Sequence, residues 1–104
     1  MSCIAVVTTL GSLEQAQAMA RALVERQLAA CAQIDEIRSC YRWDGQLRDE
    51  GEFRVTFKST RECYAALEGA ILALHSYQLP AVHAIELQRI SPAYQAWIEA
   101  SVRP

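Results

Sequence analysis

The sequence predicts an α+β fold with the element order β-α-β-β-α-β and a short C-terminal helix. Three observations carry that expectation. An apolar, β-branched run, CIAVVTT, occupies residues 3–9, and branched side chains favour extended backbone. Two long arms, residues 30–43 and 46–58, flank Asp44-Gly45, a dipeptide suited to the tight turn of a hairpin. Two stretches with apolar residues at helical spacing separate the first run, the hairpin and a late apolar segment at 79–90.

Ser12 opens the first helix, and Gln15 three positions later completes a capping-box pattern. Leu13, Ala16, Ala20, Leu23, Val24 and Leu28 recur at helical spacing, while Glu14, Gln17, Arg21 and Glu25 take the other side. One stripe of this helix is therefore expected to lie on a sheet. In the second hairpin arm Phe53, Val55 and Phe57 alternate with Glu52, Arg54, Thr56 and Lys58; in the first, Ile37, Tyr41 and Trp43 share one parity. Asp35-Glu36 and Asp49-Glu50-Gly51 predict an irregularity or bulge.

Ser59, three residues before Glu62, reads as the cap of a second helix whose stripe is Cys63, Leu67, Ala70, Ile71 and Leu74. Residues 79–90 read as the last strand, with Pro80 confined to its start. Ser91-Pro92 begins the terminal helix, which holds Tyr94, Trp97 and Ile98. This order is the ferredoxin-like split βαβ arrangement, a four-stranded antiparallel sheet with both helices on one face.

A length of 104 residues makes residues 1–104 a single domain. An apolar content of 52% supports one packed core. No apolar run approaches the roughly 18 residues of a membrane span. The first residues lack a basic start and a small-residue cleavage site, so they read as a strand rather than a signal peptide. Ten basic against twelve acidic residues leave a net charge of −2, which gives no general attraction for nucleic acid or anionic lipid. Cys3, Cys31, Cys40 and Cys63 stand at wide spacings without a C-x-x-C pair. Reduced thiols and a cytoplasmic location are therefore expected.

A hairpin arm of thirteen residues reaches roughly 40 Å, whereas a domain of this length has a radius of gyration near ~13 Å. The hairpin should overhang its own sheet and carry Tyr41, Trp43 and Leu47 into solvent. Two helices can cover only one face of the sheet. Long free edges and an uncovered face invite pairing with another copy of the chain.

Several local patterns coincide along the chain. They are Ala30-Cys31-Ala32, Tyr41-x-Trp43-x-Gly45-x-Leu47, the stretch from Glu52 to Lys58-Ser59, His75-x-Tyr77-x-x-Pro80, and Tyr94-x-x-Trp97-Ile98. In this order and spacing the sequence resembles the CutA divalent-cation tolerance family over nearly its whole length. The resemblance implies a ferredoxin-like subunit assembled as a homotrimer, with hairpins exchanged against neighbouring sheets. It also implies a link to copper(II) or another divalent cation, weakly bound. Members with a described copper site carry a cysteine near the end of the first strand and a His-His pair before Pro-Tyr. Here the matching positions are Thr8, Leu74 and His75, so His75 is the one metal ligand carried over. Ser76 and Ala81 replace the proline and glutamate common at those positions.

His75 has a second reading as a helix-end histidine complementing the helix dipole. His83 shares strand parity with Ile85 and Leu87 and is expected as a buried, hydrogen-bonded core group. Cys31 and Cys63 are expected to pack as small apolar side chains. Tyr41, Trp43, Tyr77 and Trp97, with Glu52 and Lys58, form a candidate cleft between subunits. Such a cleft would hold a small anion or metabolite, and the competing reading is interface packing.

There is no nucleophile–base set, no G-x-S-x-G and no glycine-rich phosphate loop. The first loop, Thr8 to Ser12, has no arginine to grip a phosphate. A non-enzymatic protein is expected. Phe53-x-Val55-x-Phe57 echoes the aromatic stripe of an RNA-binding sheet, but the acidic balance opposes it and core packing accounts for the rings.

Overall fold

Strand β1 (Cys3–Leu10) runs through an antiparallel four-stranded sheet of order β2-β3-β1-β4 in the computed structural model, which describes residues 2–104. Its alternating residues supply both faces. Ile4, Val6 and Leu10 join the main core, with Val55 and Phe57 from the neighbouring strand.

Helix α1 (Leu13–Glu25) starts where the Ser12 hydroxyl accepts the Gln15 N–H at 3.1 Å. Ala16, Met19 and Leu23 are buried against the sheet, with Ala20 and Val24 beside them. Met19 lies on the stripe although the spacing argument passed over it, and Leu13, in the first turn, is exposed. The helix stops at Gln27, whose φ of 59° is left-handed. The Gln27 N–H donates to Val24 O and the Leu28 N–H to Leu23 O, a Schellman closure that swings Leu28 into the core.

Strands β2 (Cys31–Trp43) and β3 (Gln46–Thr60) pair without interruption from Cys31↔Lys58 to Trp43↔Gln46. Asp44 and Gly45, with φ of 54° and 75°, form the turn that matches the twist of the arms. The bulge expected near Asp35-Glu36 and Asp49-Glu50-Gly51 is absent. The acidic residues are absorbed across the ladder instead, Asp35 by Arg54 at 2.6 Å and Asp49 by Arg38 at 3.0 Å. β1 pairs with β3 only from Leu10↔Phe53 to Cys3↔Thr60. Residues 46–52 therefore form a two-stranded ribbon with β2 alone, and the molecule is 44 Å long but only 25 by 21 Å across.

The expected cap at Ser59 is corrected by the structure. Ser59 is a buried strand residue whose hydroxyl donates to the Leu28 carbonyl at 2.7 Å. Extended backbone continues through Thr60, a 3₁₀ turn covers Arg61–Cys63, and helix α2 (Tyr64–Leu74) follows. Leu67, Ala70 and Ile71 are buried as the spacing predicts, but Leu74 is exposed at the end of the helix, where the sheet no longer lies beneath it.

Strand β4 is shorter than the apolar segment suggests, Val82–Glu86 rather than 79–90. It lies at the edge, bonded only to β1. Helix α3 (Pro92–Ser101) begins with the Ser91 hydroxyl accepting the Tyr94 N–H, and Ile98 and Val102 pack with Cys3, Ala30 and Cys63 in a second small core. Helices α1 and α2 thus share one face of the sheet. The opposite face is covered by α3 only at its Cys3 end, and Ile85 there is 53% exposed.

The two hydroxyls at the end of β3 make a controlled pair. Ser59 satisfies a carbonyl, whereas the buried Thr60 hydroxyl has no partner among the described residues. Ser59→Ala should lower the unfolding free energy by about 1–3 kcal/mol, the cost of orphaning a buried polar group, while Thr60→Val should be neutral or stabilising. Denaturant unfolding of both variants checks this, and equal losses would contradict it.

Candidate functional site

Glu52 sits one residue beyond the point where β1 stops pairing with β3. The strand alternation that sends Phe53 toward the helices turns Glu52 to the other face. It is nonetheless only 8% exposed. Ser39, diagonally across the ribbon, donates its hydroxyl to Glu52 Oε1 at 2.6 Å, and the Tyr77 hydroxyl donates to Oε2 at 2.9 Å. A buried carboxylate is tolerated where such donors meet it.

Tyr77 is delivered by the segment that follows α2, and His75 fixes that segment. His75 Nε2 lies 2.8 Å from the Thr9 carbonyl, and its Nδ1 accepts the Tyr77 N–H at 3.2 Å. A carbonyl only accepts and an N–H only donates, so the neutral ring with its proton on Nε2 satisfies both contacts. The ring also tilts against that of Tyr77, with centroids 4.8 Å apart. His75 is thus a staple between the end of β1 and the post-helix segment. It does not bond the last carbonyls of its own helix.

These side chains wall a cavity of about 590 Å³ on the ribbon side of the sheet. Tyr41, Trp43 and Tyr77 supply rings, Glu50 and Glu52 carboxylates, and Arg48 a guanidinium group, while the register turns the Arg42 side chain, opposite Leu47, to the other face of the ribbon. The Tyr41 hydroxyl is hydrogen-bonded to Glu50. Burial, and then the hydrogen bond and charge of Glu52, push the Tyr77 phenol up to about 12. The hydrogen bond to Glu50 likewise raises the exposed Tyr41 phenol.

Of the six cleft residues expected from sequence, Tyr41, Trp43, Glu52 and Tyr77 line this one cavity. Lys58 and Trp97 do not. Lys58 pairs with Cys31 and Ala5, six residues along β3 from Glu52, which is roughly 20 Å at ~3.3 Å per residue. It donates to Gln33 Oε1 at 3.1 Å. Trp97 stacks on Tyr94 with centroids 5.7 Å apart, and Tyr94 in turn touches Cys31 Sγ through its hydroxyl at 3.6 Å. That contact, and then burial, push the Tyr94 phenol up to about 12. Only a second chain would bring the two groups together.

His83 is corrected from core to surface. It faces the side that α1 and α2 leave uncovered, on an edge strand. Cys63 is buried as expected, Cys31 is only half-buried, Cys40 is exposed, and all four thiols are free. Among the described residues no three His, Cys, Asp or Glu side chains gather as a ligand set. His75, with both nitrogens engaged, is not built as a tight metal ligand. Sequence reasoning missed Ser39, Glu50 and Arg48. The hairpin register was the available signal, since a two-residue turn fixes which residues of the arms oppose one another.

The sequence profile described as CutA1 divalent ion tolerance protein matches residues 4–101. A divalent-cation tolerance protein CutA from Archaeoglobus fulgidus is 35% identical over 94 residues, covering 90% of this chain and 92% of its own. One from Thermotoga maritima is 33% identical over 99 residues, covering 95% and 98%. The solved structure of CutA from Synechococcus elongatus superposes with a TM-score of 0.95 at 36% identity, covering 98% of this chain and 91% of that one. A structure of the A. fulgidus protein, described as periplasmic, gives 0.94 at 33% identity, covering 97% and 99%.

The raised Tyr77 phenol yields a pH test. Its folded pKa lies above the ordinary value of about 10, so the stabilisation it carries is complete below that pH. It is lost as pH rises through about 12. Glu52→Gln removes the carboxylate but not the burial, so Tyr77 should then ionise at lower pH while staying above 10. Ultraviolet titration of the tyrosines, with Tyr77→Phe identifying the step, measures this; an unmoved step would contradict the Tyr77–Glu52 contact.

Proposed function

The chain belongs to the CutA1 divalent ion tolerance protein family, and from that premise we propose that it serves divalent-cation tolerance as a non-enzymatic homotrimer. The observation that supports assembly most is the ribbon of residues 46–52, paired on one side only. It carries Trp43 and Leu47 into solvent, Leu47 at 70% exposure. Unpaired strand edges and exposed apolar side chains favour contact with another copy. In the proposed trimer the ribbon lies against neighbouring sheets, and the Tyr94–Trp97 stack of one copy approaches the cavity of the next.

Contact with copper(II) or another divalent cation is proposed to be weak and centred on His75. The donor set supports no more than that. Nδ1 is held by a 3.2 Å hydrogen bond from a backbone N–H, a longer contact than the 2.8 Å one at Nε2, and no further ligand group stands with it among the described residues. The proposed compartment is the cytoplasm, consistent with free thiols. No described helix is long and apolar enough to cross a membrane.

A second reading is favoured by the buried Glu52 carboxylate at the cavity wall. On that reading the assembly binds a small molecule and signals through it. A cavity near 590 Å³ is within the usual ligand range of about 300–1,000 Å³.

Light scattering should find a trimer at micromolar concentration, with a melting temperature that rises with protein concentration because folding and assembly are coupled. Trp43→Ala should destabilise it by about 3–5 kcal/mol, as large aromatic truncations do. A stable monomer would overturn the assembly reading. Calorimetric titration with copper(II) should show weak binding that His75→Ala reduces. Unchanged binding in the variant would place the contact elsewhere.

A further inference from the structure

Opposite charges close into ion pairs between hairpin residues that do not line the cavity. Arg54 meets Asp35 at 2.6 Å and Arg38 meets Asp49 at 3.0 Å. At the cavity they do not close. Glu52 is met by two hydroxyls and Glu50 by one. Arg48 also lines the wall and has no ion-pair partner among the described residues. Two carboxylates and one guanidinium group thus share one hollow with no ion pair between them.

A carboxylate has about four acceptor positions. Ser39 and Tyr77 fill one on each Glu52 oxygen, fixing the group while leaving acceptor capacity. An ammonium group supplies the missing positive charge, and a charge-assisted bond to a desolvated carboxylate is among the stronger polar contacts. The Tyr41 and Trp43 rings beside it suit the same cation, or the methylene stem that carries it. Arginine forks match a carboxylate in two-point geometry. A purely cationic ligand would leave Arg48 uncompensated, and a purely anionic one would face both carboxylates. We propose that the cavity walled by Glu52, Trp43, Tyr77 and Arg48 binds a small zwitterion of amino-acid to dipeptide size, with its ammonium at Glu52 and its carboxylate at Arg48. This rests on the small-molecule reading above and names the ligand class for it.

The test is calorimetry on the full-length protein with each common amino acid, using methylamine and acetate as single-charge probes. At least one amino acid should bind once per chain with a Kd below about 1 mM, and both single-charge probes about tenfold or more weaker. Glu52→Gln and Arg48→Gln should each weaken that binding by about tenfold or more. Arg61→Gln, which touches only the distant Arg61–Glu86 pair, should not. Arg48 lies on the exposed ribbon, so Arg48→Gln carries the test if Glu52→Gln fails to melt like the wild type. No heat from any amino acid at about 10 mM, or binding indifferent to both substitutions, would overturn the proposal. Light scattering on the same samples separates the two readings. An intact trimer that binds nothing removes the ligand site alone, and a monomer that binds removes the trimer alone.

Discussion

A mismatch in strand length governs this molecule. β3 runs for 15 residues, while β1 beside it offers only 8 partners. The seven-residue remainder, Gln46–Glu52, has β2 on one side and no strand of its own chain on the other. Two-stranded ribbons are marginal in water, yet this one is held at its root by the Phe53–Val55–Phe57 side of the core and by the Arg54–Asp35 pair, and along its length by the Arg38–Asp49 pair. It stays extended and leaves the sheet with a free edge. The cavity and the proposed assembly both rest on that geometry.

The cavity exists because something reaches from the globular part to the root of the ribbon. The connection is a short relay. The Thr9 carbonyl holds His75, His75 holds the Tyr77 backbone, and the Tyr77 hydroxyl holds Glu52. Each link is a single hydrogen bond, and the last lands on a carboxylate removed from water. The relay ties the ends of β1 and α2 to the first unpaired turn of the ribbon. His75 therefore does structural work whatever cation contact it also makes, and its substitution is expected to disturb Tyr77 as well.

The element order, the tight turn at Asp44-Gly45 and most of both helical stripes were legible in the sequence. Each depends on local periodicity or on backbone preference. What failed depended on neighbours in space. Ser59 has a capping residue's chemistry, but the Leu28 carbonyl claimed its hydroxyl and the strand ran on. His83 and Ile85 look like core by parity, yet parity does not say which face of an edge strand is covered. Acidic residues that read as a bulge were cancelled by arginines on the opposite arm. In the site, Tyr41, Trp43, Glu52 and Tyr77 were named and do meet. Lys58 and Trp97 were named with them and lie at the other end of the sheet in the same chain. Side chains from separate elements were grouped by residue type, and type carries no distance.

In the proposed assembly the free edge of the ribbon is satisfied by another copy of the chain. Residue-resolved amide hydrogen exchange reads that edge directly, because N–H groups pointing away from β2 have no strand partner among the described residues. The outward amides of residues 46–52 should be protected at concentrations where the protein is assembled, and protection should fall on dilution into the monomer range. Exchange at those amides as fast as in an open strand, at every concentration, would contradict it.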